Sequence, residues 1–516
     1  MAEVLDFSSN RSAPAARGGG SVSPRGTSML PLLLAALLAR LVFLFVGPFY
    51  IRPDEVFQAL EPAHRLLTGH GVITWEWHEG IRSWLLPGLI AAIMQASAWV
   101  GLGHSTLVVQ GVFATLSLAV VAVAVRCGQA FAGRTGALFC GVLTAFWPDT
   151  VLDGSHTLSE SQAGNLLAIG TMLASVMLRR AWAGGRQASS WEPCGIGLLL
   201  GFATILRFQL IPGVAVVLVA AWLTDGRRRG AVMLLGAALP LAGQAVLDTM
   251  TLGAPLQSIW KNLEVNLVEH RADLFGRSSP AFYLFEMVQY WGAALLPLAA
   301  CFVAGVRKAR LAGLVVAAVI FSHSVIAHKE FSFIAGTVPL ILVVAGIGGA
   351  MLLARPGPRS GPNRSRIPPA SWAALAIVAM CVTTLFSGYK SLRRDHASLP
   401  SLMRQARQVP GLCGLALYVG EQQWWIWTGG YSLLDRDVPL YLLRAPADFA
   451  TAASGFDALL VDEGVLAYLP TSYRLVRCLH GACLLHRDGS CLPNGSHLMQ
   501  DEAGLGLPIQ PGSIRW

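Results

Sequence analysis

Charged residues are scarce in this sequence of 516 residues, where they make up only 13%. A soluble domain carries roughly 25%, so the composition excludes a single soluble globular protein. Hydrophobic residues reach 54% and the mean hydropathy is +0.55, which also excludes general disorder. By length alone the chain would form about three soluble domains. The long apolar runs indicate instead one large membrane domain with an attachment.

Lysine is rarer still, with only Lys261, Lys308, Lys329 and Lys390 in the whole chain. The net charge of +9 is therefore carried mainly by arginine. The basic residues stand in short clusters between apolar runs, which is how charges that orient membrane spans are placed. We therefore expect no nucleic-acid binding. The arginine bias, with abundant Ala and Gly, is typical of a GC-rich genome.

The sequence indicates no cleavable signal peptide, because the first apolar run begins only near Met29 and no cleavage site follows it. Residues 1–28 are rich in Ser, Gly, Ala and Arg and predict a disordered cytoplasmic tail. Residues 29–388 predict an all-α polytopic domain with about 11 spans. The predicted spans are 29–49, 105–125, 135–148, 161–178, 195–207, 210–224, 230–247, 290–306, 312–327, 334–354 and 370–388.

The segment 84–100 is long enough either to span the membrane or to lie at its surface. Five basic clusters decide between the two, and they are Arg126/Arg134, Arg179/Arg180/Arg186, Arg227–Arg229, Arg307/Lys308/Arg310 and Arg355/Arg359/Arg364/Arg366. If 84–100 does not span, all five share the side of the basic N-terminus, as the positive-inside rule favours. The N-terminus is then inside and the C-terminus outside.

This topology places several polar segments outside the membrane. The first loop, 50–104, is expected to hold two interfacial helices. The other outside segments are 149–160, 248–289 and a turn at His328. Residues 389–516 predict a small exported domain of mixed α/β structure, with strands at LALYVG, VPLYLL and ALLVD.

Four of the nine cysteines lie in this exported tail: Cys413, Cys478, Cys483 and Cys491. In an oxidising compartment four cysteines indicate disulfides, and three pairings are possible. A zinc site is the alternative, but no closely spaced pair of ligands supports it.

The first loop carries the strongest chemical signal. Asp54 and Glu55 follow Pro53, a residue that often starts a helix, and an amphipathic helix with a kink at Pro62 is expected to follow. An acid at the membrane surface could take a proton from an attacking hydroxyl. The alternative is that both acids only stabilise the helix N-terminus. Trp75 and Trp77 could likewise be interfacial anchors.

Two further polar groups are predicted on the same side. One includes Asp153 and Glu160, and its alternative is an ordinary connection. The other is His328–Lys329–Glu330, where three adjacent ionisable residues indicate a site rather than anchors. Lys329, His328 or Arg207 could stabilise a phosphate leaving group.

Together these segments resemble glycosyltransferase family 22, the mannosyltransferases that use polyprenyl-phosphate mannose. The family's first-loop signature is matched by Pro53, Asp54, Glu55, Phe57, Gln58, Glu61, Ala63, His64, Gly69, Gly71, Thr74–Trp77, Arg82 and Ser83. Its HKE-x-RFI motif is matched by His328, Lys329, Glu330, Phe333 and Ile334. Glu79–Ser83 is most similar to members that build the GPI anchor. Arg52 replaces the family's His, and Ser332 replaces its Arg.

The resemblance implies a GT-C fold and an inverting transfer of mannose, or a related sugar, from a lipid-phosphate donor to a glycolipid or lipid-linked glycan. Asp54 would be the base, with Glu55 beside it. The donor phosphate and sugar would contact His328, Lys329, Glu330, Arg207 and Arg82. The acceptor would contact Glu61, His64, Trp75, Glu76, Trp77, Asp153 and Glu160. The resemblance implies no obligatory metal or other cofactor.

The same resemblance implies a multi-pass protein surrounded by membrane lipids, with its active site on the exported or lumenal face. The membrane would be the inner membrane of a bacterium or the endoplasmic reticulum of a eukaryote. A transporter or flippase of a lipid-linked or polar solute is the alternative, but the sequence has no internal repeat of the kind that transporters show. A sensor whose tail binds sugar through Trp424, Trp425, Trp427 and Tyr431 is a third possibility.

Overall fold

The computed structural model describes residues 29–46, 52–183, 191–354, 369–388, 398–418, 424–492 and 494–501. In the described part of the chain, helices precede a small mixed sheet whose first strand begins at Leu415. The helices of the first quarter are α1 (Leu30–Val46), α2 (Pro53–Glu55), a π-helical turn (Val56–Leu60), α3 (Glu61–Thr68), α4 (Trp75–His78) and α5 (Leu85–Trp99).

Six α-helices follow next in the chain. They are α6 (Thr106–Phe146), α7 (Pro148–Asp153), α8 (Ser159–Trp182), α9 (Trp191–Leu206), α10 (Ile211–Thr224) and α11 (Arg227–Thr251). Helix α6 is a hairpin rather than a rod, because Ala132 and Gly133 leave helical geometry. Gly133 has a φ of +64°, which glycine adopts without strain. Gly128 and Gly136 then meet across the turn so closely that a Cβ on either would strike the other's backbone.

The third group of helices carries one wall of the cavity described below. It contains α12 (Gln257–Leu263), a π-helical turn (Glu264–Val268), a 3-10 turn (Arg271–Phe275), α13 (Phe282–Trp291), α14 (Leu295–Val306), α15 (Arg310–Ser324), α16 (Ser332–Ala335), α17 (Val338–Leu353) and α18 (Pro369–Gly388). Helix α17 is buried almost all round, packs against α6 and α14, and forms the centre of the helical core.

The predicted apolar runs all fall on helices. Four described stretches are long and apolar enough to cross a membrane: Thr106–Phe146, Ser159–Trp182, Arg227–Thr251 and Phe282–Val306. Seven shorter apolar helices belong to α1, α5, α9, α10, α15, α17 and α18. A polytopic membrane protein is therefore supported, whereas the number of about 11 spans stays a prediction.

The C-terminal region forms a five-stranded sheet flanked by short helices. Its elements are α19 (Ser398–Ala406), β1 (Leu415–Tyr418), α20 (Gly430–Leu434), β2 (Leu440–Leu443), α21 (Pro446–Ala452), β3 (Ala458–Asp462), β4 (Arg474–Leu479) and β5 (Ala482–His486). The strand order is β2-β1-β3-β5-β4, with β1 parallel to β2 and β3 and the other pairs antiparallel. The three predicted strands are β1, β2 and β3; the sequence analysis missed the β4–β5 hairpin.

The C-terminal domain packs directly on the first loop. Phe57 meets Trp425 edge-on, with ring centroids 5.1 Å apart. The sequence predicted an amphipathic helix lying on the membrane. In the structure its apolar residues Val56, Phe57, Leu60 and Ala63 pack against the C-terminal domain. Helix α3 also buries Glu61 and His64 where it contacts α20. Because Trp425 and Tyr431 are buried in this contact, they are not available as an open sugar site.

Two disulfides close this domain, and they pair Cys413 with Cys491 and Cys478 with Cys483. The expectation of disulfides in the tail is thereby met. The described residues contain one group with the spacing for a metal, formed by Cys413, Asp457 and Cys491. Its two sulfurs are already bonded to each other, so the alternative of a zinc site is not supported.

We expect the two disulfides to differ in their effect on stability. Cys413–Cys491 closes a loop with a sequence separation of 78, whereas Cys478–Cys483 spans 5. On the chain-entropy account, the bridge over the longer loop stabilises the fold by about 4.5 kcal/mol and the other bridge by about 2 kcal/mol. Replacing Cys413 and Cys491 by Ser should therefore lower the Tm of the full chain more than replacing Cys478 and Cys483. Equal losses, or free thiols in non-reducing mass mapping, would contradict this.

Candidate active site

A cavity of about 1490 Å³, including its open mouth, lies where the first loop meets the helical core. We call it the main cavity. Its polar lining comes from five separate segments of the chain: Asp54, Gln58, Glu76, Arg82, Arg207, Gln209, Asn262, Asn266, Ser322, His323, His328 and Glu330. Its apolar lining includes Ile211, Pro212, Leu263, Leu267 and Ile326. The main cavity therefore combines concentrated charge with an apolar wall.

Asp54 reaches this cavity because of how the first loop begins. Pro53 starts α2, and the backbone N–H of Arg52 donates to Glu55 Oε1 at 3.2 Å. Asp54 lines the cavity, whereas Glu55 turns away and is buried. A π-helical turn follows at Val56–Leu60. Such turns are rare and are frequent at functional sites.

The surroundings of Asp54 suit a proton acceptor. Burial and the negative charges of Glu330 and Glu76 raise the pKa of Asp54 to about 7, against the opposing effect of Arg82 and Arg207. A general base is most effective when its pKa lies near the working pH. Asp54 thus lines the main cavity and has a pKa near neutrality.

Glu76 and Arg82 form a fixed pair in the cavity wall. Arg82 Nη2 donates to Glu76 Oε1 at 2.9 Å, and Gln58 Nε2 donates to the same oxygen at 3.1 Å. Thr74 Oγ1 donates to the other oxygen at 2.7 Å. Arg82 Nε is buried without a hydrogen-bond partner among the described residues. A buried donor of this kind is normally satisfied, and an anion in the main cavity would satisfy it.

Arg207 stands at the break between α9 and α10, where its backbone is extended. Its guanidinium forms a buried ion pair with Glu160, the first-turn acid of α8. The guanidinium also lies 6.0 Å from the ring centroid of Phe333. Glu160 therefore holds Arg207 in place at the cavity wall rather than lining the main cavity itself.

Within the HKE segment, His328 to Glu330, the carboxylate of Glu330 makes most of the polar contacts. His328 Nε2 lies 3.4 Å from Glu330 Oε1, Arg52 Nη1 lies 3.7 Å from Oε2, and Ser332 Oγ donates to Oε2 at 3.1 Å. Burial alone would raise the pKa of Glu330, but His328, Arg52 and Ser332 outweigh it and lower that pKa to about 2. The two departures from the family motif, Arg52 and Ser332, thus contact the same carboxylate. In this chain the arginine beside Glu330 is therefore Arg52, whereas the family motif has its arginine at the position of Ser332.

Lys329 does not line the main cavity. It is buried behind the wall, where its ammonium donates to the carbonyl oxygens of Ser278, at 2.9 Å, and Ile326. These contacts tie the segment before α13 to the end of α15. Lys329 therefore lies inside the protein. The cavity is lined instead by the other predicted donor-site residues, His328, Glu330, Arg207 and Arg82.

Several predicted acceptor residues also lie outside the main cavity. Glu61 accepts from the backbone N–H groups of Val72 at 2.8 Å and Ser432 at 2.5 Å, and so links the first loop to α20. His64 Nδ1 donates to the carbonyl of His70 at 2.7 Å. Burial raises the pKa of Glu61 above its usual range. Both side chains thus make contacts within the protein instead.

The remaining predicted residues divide between wall and interior. Trp75 lines the cavity beside Glu76, whereas Trp77 is buried and donates from Nε1 to the carbonyl of Phe57 at 3.0 Å. Asp153 lies off the cavity, and burial together with the charge of Asp149 raises its pKa to about 7. Glu55 Oε2 accepts from His156 Nδ1 at 2.6 Å. Trp77 and Glu55 therefore hold the first loop in position, whereas Trp75 lies in the cavity wall.

The sequence analysis missed the amides Gln209, Asn262 and Asn266, and also His323, and it named Gln58 only as part of the motif. Asn262 and Asn266 stand one helical turn apart, and Asn266 Nδ2 donates to Asn262 Oδ1 at 2.9 Å. Two amides at helical i, i+4 spacing in a segment predicted outside the membrane were a usable signal. His323 gave a signal as well, since a histidine inside a predicted span is a candidate site residue.

The fold has solved counterparts. The structure of ArnT from Cupriavidus metallidurans bound to undecaprenyl phosphate superposes with a TM-score of 0.58 at 15% identity, covering 90% of this chain and 99% of that one. Its apo form gives 0.56 at 17% identity, with coverages of 89% and 97%. Fold and site therefore define a polytopic membrane protein of the GT-C type, with a charged cavity at one end of its helices and a small sheet domain.

The chain belongs to the Alg9-like mannosyltransferase family, whose profile matches residues 32–410. It is similar to GPI mannosyltransferase 3 of Yarrowia lipolytica, at 28% identity over 57% of this chain and 58% of that protein. It is also similar to the Drosophila melanogaster protein of the same name, at 28% identity over 61% and 55%. The chain thus spans little more than half the length of these curated relatives, and most of its sheet domain lies beyond the family match.

Proposed function

We propose that the protein is an inverting glycosyltransferase, which moves mannose from a polyprenyl-phosphate donor to a glycolipid or lipid-linked glycan. The observation that carries this proposal is the composition of the main cavity. One acid with a pKa near neutrality, Asp54, shares it with the guanidinium groups of Arg82 and Arg207 and with an apolar wall. Base, anion site and lipid-compatible surface are the three parts that such a transfer needs.

The reaction follows from these parts as a single displacement. Asp54 accepts the proton of the acceptor hydroxyl as its oxygen attacks the anomeric carbon of the sugar. The bond between that carbon and the phosphate oxygen breaks, and the lipid phosphate leaves with the electron pair. Arg82 and Arg207 stabilise the negative charge that develops on the phosphate. One displacement inverts the configuration at the anomeric carbon.

The donor lipid is supported by the apolar side of the cavity. This side is lined by Ile211, Pro212, Leu263 and Leu267. It continues toward exposed apolar residues of the π-helical turn that follows α12, such as Val268. A prenyl chain could lie along this side while its phosphate meets the arginines. The ArnT structure of similar fold was determined with undecaprenyl phosphate, which agrees with a donor of this class.

The acceptor is proposed to enter beside Trp75. Its ring stacks on Phe275 with centroids 6.3 Å apart, and Arg271 lies 5.5 Å over its ring. Trp75 is only 5% exposed, so this cluster is proposed to shape the entrance rather than to offer an open ring face. Because the curated relatives are named as GPI mannosyltransferases, we propose a GPI-like glycolipid or another lipid-linked glycan as the acceptor.

The absence of an obligatory metal stays a proposal, which Arg82, Arg207 and His328 support as fixed cations around the cavity. Transfer in excess EDTA tests it, and a loss that Mg²⁺ or Mn²⁺ restores would overturn it.

Purified protein with radiolabelled polyprenyl-phosphate mannose and a glycolipid acceptor tests the function itself. Label that appears in the acceptor supports the proposal. Movement of an intact lipid or solute across reconstituted vesicles, without transfer, would establish the transporter instead.

We also propose that the active site lies on the exported or lumenal face. The basic connections between α10 and α11 and between α14 and α15 lie at the helix ends opposite Arg207 and the HKE segment. Single cysteines at the exposed positions Leu66 and Arg228 test this, in a background without the five free cysteines. In intact cells a membrane-impermeant maleimide should label Leu66→Cys, and should label Arg228→Cys only after permeabilisation. Equal labelling of both would contradict this topology.

A further inference from the structure

A narrow recess with room for little more than one small polar group adjoins the main cavity, and we call it the side pocket. It is lined by Glu160, Arg207, Gln209, Leu210, His323 and Phe333. Arg207, Gln209, His323 and Phe333 line both spaces. A group held at Arg207 in the main cavity therefore has the side pocket directly beside it.

His323 presents an unpaired acceptor there. Its Nδ1 lies 2.8 Å from the carbonyl oxygen of Val319, one turn earlier in α15. A carbonyl oxygen only accepts, so Nδ1 carries the hydrogen, and in the neutral ring Nε2 is then an acceptor. The side chain is 2% exposed, and Nε2 has no hydrogen-bond partner among the described residues. The oxygen Oε1 of Gln209, in the same lining, is buried and unpartnered as well.

The chemistry of the missing partner follows from this lining. Two buried acceptors need a group that donates hydrogen bonds, because an unsatisfied buried acceptor is costly. An ionised phosphate only accepts, and it would also face the carboxylate of Glu160, which already pairs with Arg207. A hydroxyl both donates and accepts. The side pocket is therefore built for hydroxyl groups rather than for the phosphate.

We infer that the side pocket receives one hydroxyl group of the sugar being transferred, while the sugar ring stays in the main cavity, and that His323 Nε2 accepts a hydrogen bond from this hydroxyl. The inference rests on the proposed function, which supplies a lipid-phosphate sugar with its phosphate at Arg207. The ring of Phe333, next to Arg207, offers an apolar face for the sugar's C–H groups. His323 thus determines which sugar the enzyme accepts, since a site built to pair a hydroxyl rejects the analogue that lacks it.

The test compares His323→Phe, which keeps a ring but has no acceptor, with His323→Gln, whose amide reaches toward the position of Nε2. Ser324→Ala is the control, since its hydroxyl only bonds the Ile320 carbonyl of its own helix. The probes are polyprenyl-phosphate mannose and its monodeoxy analogues. Binding is measured by ligand-induced thermal stabilisation of the whole protein, and transfer is measured in parallel.

We expect the wild type and Ser324→Ala to bind polyprenyl-phosphate mannose roughly 10- to 100-fold more tightly than one of its deoxy analogues. His323→Phe should lose that difference at the same hydroxyl, and His323→Gln should regain part of it. If His323→Phe discriminates every analogue as the wild type does, or if the wild type discriminates none, the side pocket holds water only and the inference is overturned.

The two proposals fail in different ways. A wild type that binds and discriminates these donors without transferring mannose would overturn the proposed transfer while the side pocket stands. Transfer that is equally efficient with every deoxy analogue would keep the proposed function and overturn the sugar site. A wild type that binds no donor overturns both.

Discussion

Replacing Asp54 by Asn should reduce sugar transfer by roughly 100- to 10,000-fold, the usual effect of losing a positioned general base. Asparagine has the same size and is also favourable at a helix start, so folding and donor binding should be almost unchanged. The measurement is kcat/KM for transfer, together with donor binding and Tm. A variant that keeps more than about a tenth of wild-type transfer would contradict the assignment of the base.

The neighbouring acid provides the matched control. Glu55→Gln is the same change of one atom, but Glu55 is buried, accepts from His156 and does not line the cavity. It should lower Tm and reduce transfer much less than Asp54→Asn does. If Glu55→Gln abolished transfer at unchanged Tm, the roles of the two acids would have to be exchanged.

The pH profile of the wild type gives a second readout of the same base. Because burial and the charges of Glu330 and Glu76 raise the pKa of Asp54 to about 7, the ionised base is lost as the pH falls through that value. We therefore expect kcat/KM to rise with pH up to about 7. A rising limb near the ordinary pKa of an aspartate would show that the charged neighbours do not act on the base as the geometry requires.

The sequence predicted the helices and the polar segments, but not how those segments meet. Apolar runs report burial in lipid or protein directly, so the helices and strands β1 to β3 could be found. The predicted topology placed Asp54 and His328 on the same side of the membrane, and the resemblance to the family assigned both to one site. Whether a polar residue faces the cavity depends on packing, and pattern alone could not show that Glu61 and His64 would be covered by α20.

The missed features share a physical cause. In the β4–β5 hairpin, the edge strand β4 is exposed and carries Arg474 and Arg477, so it lacks the apolar run that marks β1 or β3. Strand β5 has such a run in ACLLH, but its partner strand gave no matching signal. The pairing of Cys413 with Cys491 depends on a contact between ends 78 residues apart. His323 belongs to no predicted polar segment. Its Nδ1 bonds to a carbonyl of its own helix, but the burial of its Nε2 beside Arg207 and Phe333 depends on packing. Strand pairing, disulfide pairing and this burial are set by tertiary contacts rather than by local pattern.

The ion pair between Arg207 and Glu160 gives the second large expected effect, and here stability and activity should separate. Both side chains are buried, so removing one leaves an uncompensated charge. Arg207→Met alone should destabilise the fold by about 3–5 kcal/mol, whereas Arg207→Met with Glu160→Leu should return close to wild-type stability, because apolar pairs of similar volume replace buried ion pairs well. The measurement is Tm and the free energy of unfolding in detergent.

Transfer should not return with stability. Arg207 lines the main cavity and is proposed to meet the phosphate, so the stable double variant should remain at least about 100-fold less active, as expected when a charge that stabilises the transition state is removed. Arg229→Met with Asp225→Leu is the control, because that pair joins α11 to the end of α10, away from the cavity. If the Arg207–Glu160 double variant recovered both stability and transfer, Arg207 would serve the fold alone and the phosphate would have to be bound by Arg82 and His328.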